Sequence, residues 1–246
     1  PLTNLLKMWQ AGLCHPIKGA HVRDRRSDEV YESNERDPVL DLDALPFPAW
    51  DLIDMDAYFD AWGQLDSVQP GLRGVNLSGS RGCPFTCTFC AETLHTMFGR
   101  KLRQRSPESL VAELVELKKR YDIEAFWLTD DTFTTNRKYV ERFCDVLEQS
   151  ELHLLWGCTT RANLIPEYLI KRMQEVGLRK VGIGLESATE RIREGIYEKA
   201  VSDEEVSVTV HALHTHGVQT LLFLMLGAPS ETRKEMLETI RLASFL

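Results

Sequence analysis

The sequence predicts an α/β fold built on a parallel sheet. From about residue 74 onward, short apolar segments of strand length alternate with longer segments that have the apolar spacing of a helix. Several of the strand segments are apolar at successive positions, which is typical of parallel strands that helices cover. We therefore predict five parallel strands separated by helices, arranged either as a barrel or as an open, doubly wound sheet.

The elements can be assigned in chain order from their boundaries. The predicted strands cover residues 74–79, 124–128, 152–158, 180–185 and 218–226. The predicted helices cover residues 106–121, 136–149, 166–176 and 202–216, and another helical pattern starts near Glu231. Ser106 followed by proline is a helix-start signal, and Gly177 and Gly217 are stop signals.

Residues 1–70 lack this regular alternation. Within them, residues 41–50 contain two prolines and predict extended chain. We interpret 1–70 as a linker or inter-domain segment that follows an upstream domain, and 71–246 as the main domain. Because the front segment has too little regular structure to enclose its aromatic residues, we expect four of them to pack on a neighbouring domain, namely Trp9, Phe47, Trp50 and Tyr58.

Composition restricts the class of protein. With 246 residues, of which 43% are hydrophobic, the chain can bury a large core, and its net charge of −8 argues against a nucleic-acid partner. No apolar run is long enough to span a bilayer, and the first residues of this sequence lack the pattern of a signal peptide. Six cysteines in such a chain favour a reducing, cytoplasmic environment. The chain starts without methionine and stops inside a helical pattern, so we expect a segment of a longer protein.

Three cysteines lie close together after the first predicted strand. Cys83, Cys87 and Cys90 have C-x3-C-x2-C spacing in a segment that contains glycine and proline and has no helical periodicity. Three thiolates at one point indicate a metal site, and a four-iron cluster with three cysteine ligands leaves one iron open for a cofactor. Two alternatives remain at this stage: a zinc site completed by His95, and a chance group of buried thiols.

Polar residues follow the other predicted strands. In parallel α/β folds, binding sites are built from loops at the carboxyl ends of the strands. A single carboxylate there is often a helix cap, but several strand ends that share one edge with a cysteine loop predict a binding site. The residues concerned are Asp130, Asp131, Arg161, Glu186 and the turn from Gly227 to Glu231.

The cysteine loop, with Phe89 directly before its last cysteine, resembles the signature of the radical S-adenosylmethionine (radical SAM) enzymes. Three further segments occur in the right order for that family, namely Asp-Asp-Thr-Phe at 130–133, Gly-Leu-Glu-Ser at 184–187 and Gly-Ala-Pro-Ser-Glu-Thr at 227–232. The Leu-Pro-Phe-Pro segment at 45–48 also resembles the join between the cobalamin-binding and radical domains of the cobalamin-dependent subgroup.

The resemblance implies a partial TIM-like (βα)6 barrel of parallel strands, with its last strand missing from this segment. It also implies that Cys83, Cys87 and Cys90 hold a 4Fe-4S cluster whose open iron chelates S-adenosylmethionine. The other implied contacts are Phe89 with the adenine through its backbone, the Asp130–Asp131 turn with the methionine amino group, Arg161 with the methionine carboxylate, Glu186 with the ribose hydroxyls and Gly227 with the adenine.

The activity implied is reductive cleavage of S-adenosylmethionine to a 5′-deoxyadenosyl radical, for cobalamin-dependent methylation or rearrangement at an unactivated carbon. The expected partners are a small-molecule substrate and an electron donor such as a flavodoxin or ferredoxin, with cobalamin held by an upstream domain. No catalytic acid or base is assigned. One alternative is a methylthiotransferase-type radical SAM enzyme, which the basic run at 100–105 supports. Another is a non-catalytic module that binds zinc or an iron–sulfur cluster.

Overall fold

The structure is a computed structural model that describes residues 2–13, 17–24, 26–32 and 39–246. The chain divides into two compact units, residues 1–40 and residues 41–246. The first unit contains helix α1 (Leu2–Gln10) and an antiparallel pair of short strands, β1 (Val22–Arg23) and β2 (Val30–Tyr31). None of the helices in these described ranges is long and apolar enough to cross a membrane.

The second unit contains the α/β fold. Its elements, in chain order, are α2 (Met55–Ala61), β3 (Gly74–Leu77), β4 (Ser80–Arg81), α3 (Ala91–Phe98), β5 (Arg103–Gln104), α4 (Pro107–Tyr121), β6 (Ala125–Leu128), α5 (Arg137–Gln149), β7 (Leu155–Thr160), α6 (Glu167–Glu175), β8 (Leu178–Glu186), α7 (Glu190–Arg193), α8 (Asp203–Thr215), β9 (Gln219–Leu224) and α9 (Arg233–Phe245).

A five-stranded sheet with the order β3-β6-β7-β8-β9 forms the centre of this unit. Every neighbouring pair in it is parallel, which confirms the predicted fold class. Helices α4, α5, α6 and α8 pack on one face of the sheet, where their apolar residues join those of the strands in one core. In its centre the rings of Phe126 and Trp156 stack with centroids 5.7 Å apart.

The helices begin where the sequence signals placed them. The Ser106 side chain accepts a hydrogen bond from the Ser109 backbone N–H at the start of α4. Ser202 and Glu205 form a reciprocal capping box at the start of α8. Such caps satisfy backbone N–H groups that lack a partner inside the helix, and each contributes about 1 kcal/mol.

The opposite face of the sheet makes room for large rings at positions occupied by glycine. A Cβ atom at Gly74 would overlap the ring of Trp62, and one at Gly157 would overlap the ring of Trp127. These two tryptophans form a second apolar cluster with Leu65 and neighbouring residues. The indole N–H of Trp62 donates to the side chain of Asn76 at 3.0 Å, so its polar atom is satisfied as well.

Residues 41–73 pack on this sheet and its helices, which differs from the expected packing of Trp50 and Tyr58 on a neighbouring domain. Both residues contact the main core, and the Trp50 indole N–H donates to Glu113 at 3.0 Å. The Tyr58 hydroxyl accepts the backbone N–H of Asn76 on β3, the edge strand, at 3.2 Å. The second compact unit begins at Asp41, and Tyr58 contacts the edge strand of the sheet.

We predict that Gly157→Ala destabilises the fold. The added Cβ would meet the Trp127 ring and lie 2.8 Å from the Lys180 carbonyl oxygen, and neither can move without disturbing the sheet. Overpacking of this kind costs about 1–3 kcal/mol, which thermal or chemical unfolding measures. Gly63→Ala is the matched control, since its added Cβ meets only the flexible Asp66 carboxylate. Equal stability of the two variants would contradict the interpretation.

Candidate functional site

The predicted site residues lie along one edge of the sheet, because the parallel strands share the same carboxyl end. We call this edge the rim. It consists of the cysteine loop after β4, Asp130 and Asp131 after β6, Arg161 after β7, Glu186 at the end of β8 and the turn at Gly227 after β9. The structure thus brings together the strand ends that the sequence singled out, and the individual cofactor contacts remain predictions.

The three cysteines of the loop are free thiols that differ in exposure. Cys87 is buried, Cys83 is half-buried and Cys90 is exposed. Burial raises the pKa of Cys83 and of Cys90, and the neighbouring thiols of Cys83 and Cys87 raise that of Cys90 further. Within the described part of the chain, no three His, Cys, Asp or Glu side chains form a closed metal-binding group. The donor set nevertheless fits iron, because three unpaired thiols on one loop are the ligands that iron–sulfur clusters take.

The cysteine loop is fixed from the opposite side of the rim. The Thr88 backbone N–H donates to the Tyr197 carbonyl at 3.0 Å, and the Thr88 hydroxyl donates to the Ile196 carbonyl at 2.6 Å. The Phe89 ring meets the Tyr197 ring edge to face, with centroids 5.1 Å apart. The middle of the loop therefore takes its position from residues after β8 and not from its own neighbours in sequence.

The His95 side chain contacts a backbone carbonyl of the cysteine loop. Its Nε2 atom lies 3.2 Å from the Cys83 carbonyl oxygen. A ring nitrogen that donates to a carbonyl has no lone pair for a metal, so this contact weighs against a Cys3His zinc site that uses Nε2. The contact connects helix α3 to the first residue of the cysteine loop.

The basic run at 100–105 folds back onto the protein. Arg103 is buried and donates to the Phe98 carbonyl at 2.7 Å. Arg105 pairs with the buried carboxylate of Glu113 at 2.5 Å. Strand β5 pairs with β4 here, and at Gly82 a side chain would collide with the Lys101 carbonyl in a backbone with φ of 90°. These arginines therefore hold the hairpin that carries the cysteine loop, and the run gives less support to an RNA-directed methylthiotransferase.

The two neighbouring carboxylates after β6 have different surroundings. Asp130 is buried and accepts the Gly79 backbone N–H at 2.9 Å, and burial raises its pKa. Asp131 is exposed, and no described residue donates a hydrogen bond to its carboxylate. Burial raises the pKa of Asp131 as well, and nearby His95 opposes that rise. Asp130 thus fixes the loop that follows β3, whereas Asp131 is available to a ligand.

Arg161 is buried against the cysteine loop. Its Nη1 lies 3.3 Å from the Cys87 sulfur, and its Nη2 donates to the Ala200 carbonyl at 3.0 Å. The guanidinium also lies over the Phe85 ring, 4.1 Å from its centroid. Its Nε is buried and has no hydrogen-bond partner in the described structure, so one N–H remains for a ligand.

Glu186 is paired with a lysine that the sequence analysis missed. The Lys199 ammonium donates to Glu186 Oε1 at 2.8 Å, and both side chains are buried. Glu186 has a φ of 61°, and a Cβ at Gly184 would collide with the Lys199 ammonium and the Glu186 carboxylate, so the glycine makes room for the pair. Lys199 stands in a charged stretch after β8 without any motif of its own. The one signal that could have indicated Lys199 is that a buried carboxylate requires a cation as its partner.

The turn after β9 is closed by Glu231. Its Oε2 accepts the backbone N–H groups of Gly227 and Ala228, the latter at 3.0 Å. Gly227 has a φ of 89°, a left-handed conformation that favours glycine. The other carboxylate oxygen of Glu231 is buried without a partner among the described residues.

Comparison with known proteins identifies the family. The family model described as the Radical SAM superfamily matches residues 77–243, which include the whole rim. The chain belongs to the radical SAM superfamily. The predicted resemblance is therefore confirmed, and the chain is an enzyme of a family that uses a 4Fe-4S cluster and S-adenosylmethionine.

Two curated relatives and one solved structure refine this placement. An uncharacterised methyltransferase of Pyrococcus horikoshii is 33% identical over 222 residues, which are 90% of this chain and 46% of that protein. The anaerobic magnesium-protoporphyrin IX monomethyl ester cyclase of Rubrivivax gelatinosus is 30% identical over 208 residues, 84% of this chain and 35% of that protein. The cobalamin-dependent radical enzyme OxsB, solved with aqua-cobalamin bound, superposes with a TM-score of 0.77 at 18% identity, over 98% of this chain and 34% of that chain. The chain thus spans less than half the length of these proteins, and the OxsB likeness shows the fold.

We predict that Lys199→Met destabilises the protein. The substitution leaves the buried Glu186 carboxylate without its cation, and breaking a buried ion pair in this way costs about 3–5 kcal/mol. Chemical denaturation measures the change in the free energy of unfolding. Lys234→Met is the control, because Lys234 is exposed and lies only 3.7 Å from Glu238 on the surface of α9. If Lys199→Met lowers the free energy of unfolding no more than Lys234→Met does, the Glu186 carboxylate does not depend on Lys199.

Proposed function

We propose that this chain is the radical domain of an enzyme that binds a 4Fe-4S cluster and S-adenosylmethionine and modifies an unactivated carbon of a small molecule in a cobalamin-dependent reaction. The observation that carries the proposal is the loop of three free cysteines at the rim, fixed by hydrogen bonds to residues 196–197. We assign methyl transfer as the reaction. A rearrangement that forms a ring is the second candidate, because one relative is a cyclase.

The thiols of Cys83, Cys87 and Cys90 would hold the cluster through three of its irons. When bound, the cluster supplies the electron that cleaves a carbon–sulfur bond of S-adenosylmethionine and gives the 5′-deoxyadenosyl radical. The thiols bind iron as thiolates, so assembly must overcome the raised pKa of Cys83 and Cys90 and release their protons. The chain's contribution is to hold these ligands at one rim, where Cys87 is buried from water.

The other rim residues would bind the rest of S-adenosylmethionine. Asp131 is the carboxylate for the methionine amino group, since Asp130 already accepts the Gly79 N–H. Glu186 is the acceptor for the ribose hydroxyls. Lys199 occupies only Oε1 of Glu186, and no described residue donates to Oε2. The backbone of Phe89 and the turn at Gly227 would lie against the adenine, and the free Nε–H of Arg161 would meet the methionine carboxylate.

The substrate would lie on the glycine-bearing face of the sheet, below the rim. On this face a Cβ at Gly182 would come 2.8 Å from the Phe223 ring, so glycine leaves the space that the ring occupies. Longer relatives and the OxsB fold support a cobalamin-binding domain before this segment, and the single electron requires a donor such as a flavodoxin or ferredoxin. We assign such an enzyme to the reducing cytoplasm, where free thiols are the rule.

The alternatives differ in measurable properties. A zinc module is colourless and contains no iron, whereas an iron–sulfur protein is brown. A methylthiotransferase would add sulfur together with carbon to its substrate, which mass spectrometry of the product distinguishes from methylation. Turnover by the full-length protein without cobalamin would remove cobalamin from the proposal and leave the radical chemistry.

We predict that anaerobic reconstitution gives a four-iron cluster that forms 5′-deoxyadenosine from S-adenosylmethionine and a reductant. Replacement of Cys83, Cys87 or Cys90 by alanine should each abolish the cluster, because two remaining thiolates do not hold it. Iron and sulfide analysis and visible absorption measure this outcome. Cys144→Ala is the matched control, since Cys144 is buried in the core and far from solvent, with a pKa raised to about 12 by burial. One zinc and no iron in the anaerobically purified protein would contradict the proposal.

We also predict that Glu186→Gln weakens S-adenosylmethionine binding and leaves the iron content unchanged. The substitution keeps the shape and removes the charge that strengthens hydrogen bonds to the ribose, a loss of about 1.5–3 kcal/mol or roughly tenfold to a hundredfold in affinity. Calorimetry on the reconstituted protein measures this. Glu190→Gln, an exposed position at the start of α7, is the control. If Glu186→Gln binds S-adenosylmethionine as tightly as the wild type does, the role of Glu186 is structural only.

A further inference from the structure

We infer that Arg161 is a positioning residue that sets the reduction potential of the cluster through its hydrogen bond to the ligand Cys87. The inference rests on the proposed function, since it requires a cluster bound to the Cys87 sulfur. It adds a role to Arg161 that differs from contact with S-adenosylmethionine. The two roles use different atoms, because Nη1 faces the sulfur and Nε remains free.

Three contacts fix the guanidinium against the sulfur. Nη1 lies 3.3 Å from the Cys87 Sγ, Nη2 donates to the Ala200 carbonyl at 3.0 Å, and the plane lies over the Phe85 ring. Arg161 is 7% exposed and Cys87 is 8% exposed, so water does not compete for this hydrogen bond. These contacts hold the charged donor in one orientation, so its hydrogen bond to the sulfur does not depend on a change of side-chain conformation.

A cation beside a ligand sulfur favours the reduced cluster. Reduction adds one negative charge, part of which falls on the ligand sulfurs, and a fixed positive donor stabilises that added charge. Hydrogen bonds to the sulfurs and burial are known determinants of cluster potentials. Low local polarity strengthens the interaction. Arg161 therefore makes the cluster easier to reduce.

The hydrogen bond to Ala200 explains how the Arg161 guanidinium is held beside the sulfur. The Ala200 carbonyl accepts from Arg161 Nη2 and also from the Asn163 side chain at 3.3 Å. Ala200 follows Lys199, which holds Glu186. The residue that contacts the cluster ligand is thus anchored to the same segment that positions the proposed ribose acceptor.

The test is the midpoint potential of the reconstituted cluster, measured by a titration monitored with electron paramagnetic resonance in the absence of S-adenosylmethionine. Without that ligand, a role of Arg161 in binding the carboxylate cannot affect the result. In Arg161→Gln we expect the equilibrium constant for reduction to fall by about tenfold, which is a shift of about 59 mV to lower potential for one electron. Asn163→Ala is the matched control, because it loses a donor to Ala200 but no contact with the sulfur, and its potential should equal that of the wild type.

An unchanged potential in an Arg161→Gln protein with full iron content overturns the inference and leaves the proposed function intact. Absence of iron from the reconstituted wild type refutes the proposed function instead. If Arg161→Gln does not fold, as judged by circular dichroism, Arg161→Lys takes its place. The shorter, non-planar ammonium cannot contact both Cys87 and Ala200, so the potential should fall by part of the same shift. A wild-type potential in Arg161→Lys would then overturn the inference.

Discussion

The rim depends on hydrogen bonds to one short segment, residues 196–200. Ile196 and Tyr197 accept hydrogen bonds from Thr88 in the cysteine loop, and Ala200 accepts one from Arg161. The Lys199 side chain holds Glu186. Three strand ends that are distant in sequence are therefore fixed relative to one another by one segment after β8. Since these contacts share a support, substitutions among them should not act additively.

The two faces of the sheet are built in different ways. The helix-facing side is filled by apolar side chains from strands and helices, in the usual manner of a parallel sheet. On the other side, glycine stands where Trp62 and Trp127 need space, and residues 41–73 supply the covering aromatic groups. The space for these rings therefore exists because glycine has no side chain. Below the rim, the same device at Gly184 accommodates the buried Glu186–Lys199 pair.

Local signals in the sequence predicted most of the sheet and its helices, as well as the rim. Apolar runs and caps depend on neighbouring residues, so the strands and the start of α4 at Ser106 could be recognised. The covering role of Trp50 and Tyr58 could not, because it depends on contacts with Glu113 and Asn76, residues far along the chain. The motifs indicated Glu186 but not its cation, since Lys199 is chosen by burial and not by spacing.

The charges of the rim bear on how it would accept the proposed cluster. Without iron, burial raises the pKa of Cys83 and Cys90, which favours their neutral thiol form. In the proposed function, iron binding would remove those protons and would add negative charge near the carboxylates of Asp131 and Glu186. Arg161 and Lys199 already lie there, held by backbone and side-chain hydrogen bonds that need no cofactor. Because these cations are oriented in advance, they would stabilise the charge of the proposed cluster without reorganisation, which is how fixed groups act on charge in a site shielded from water.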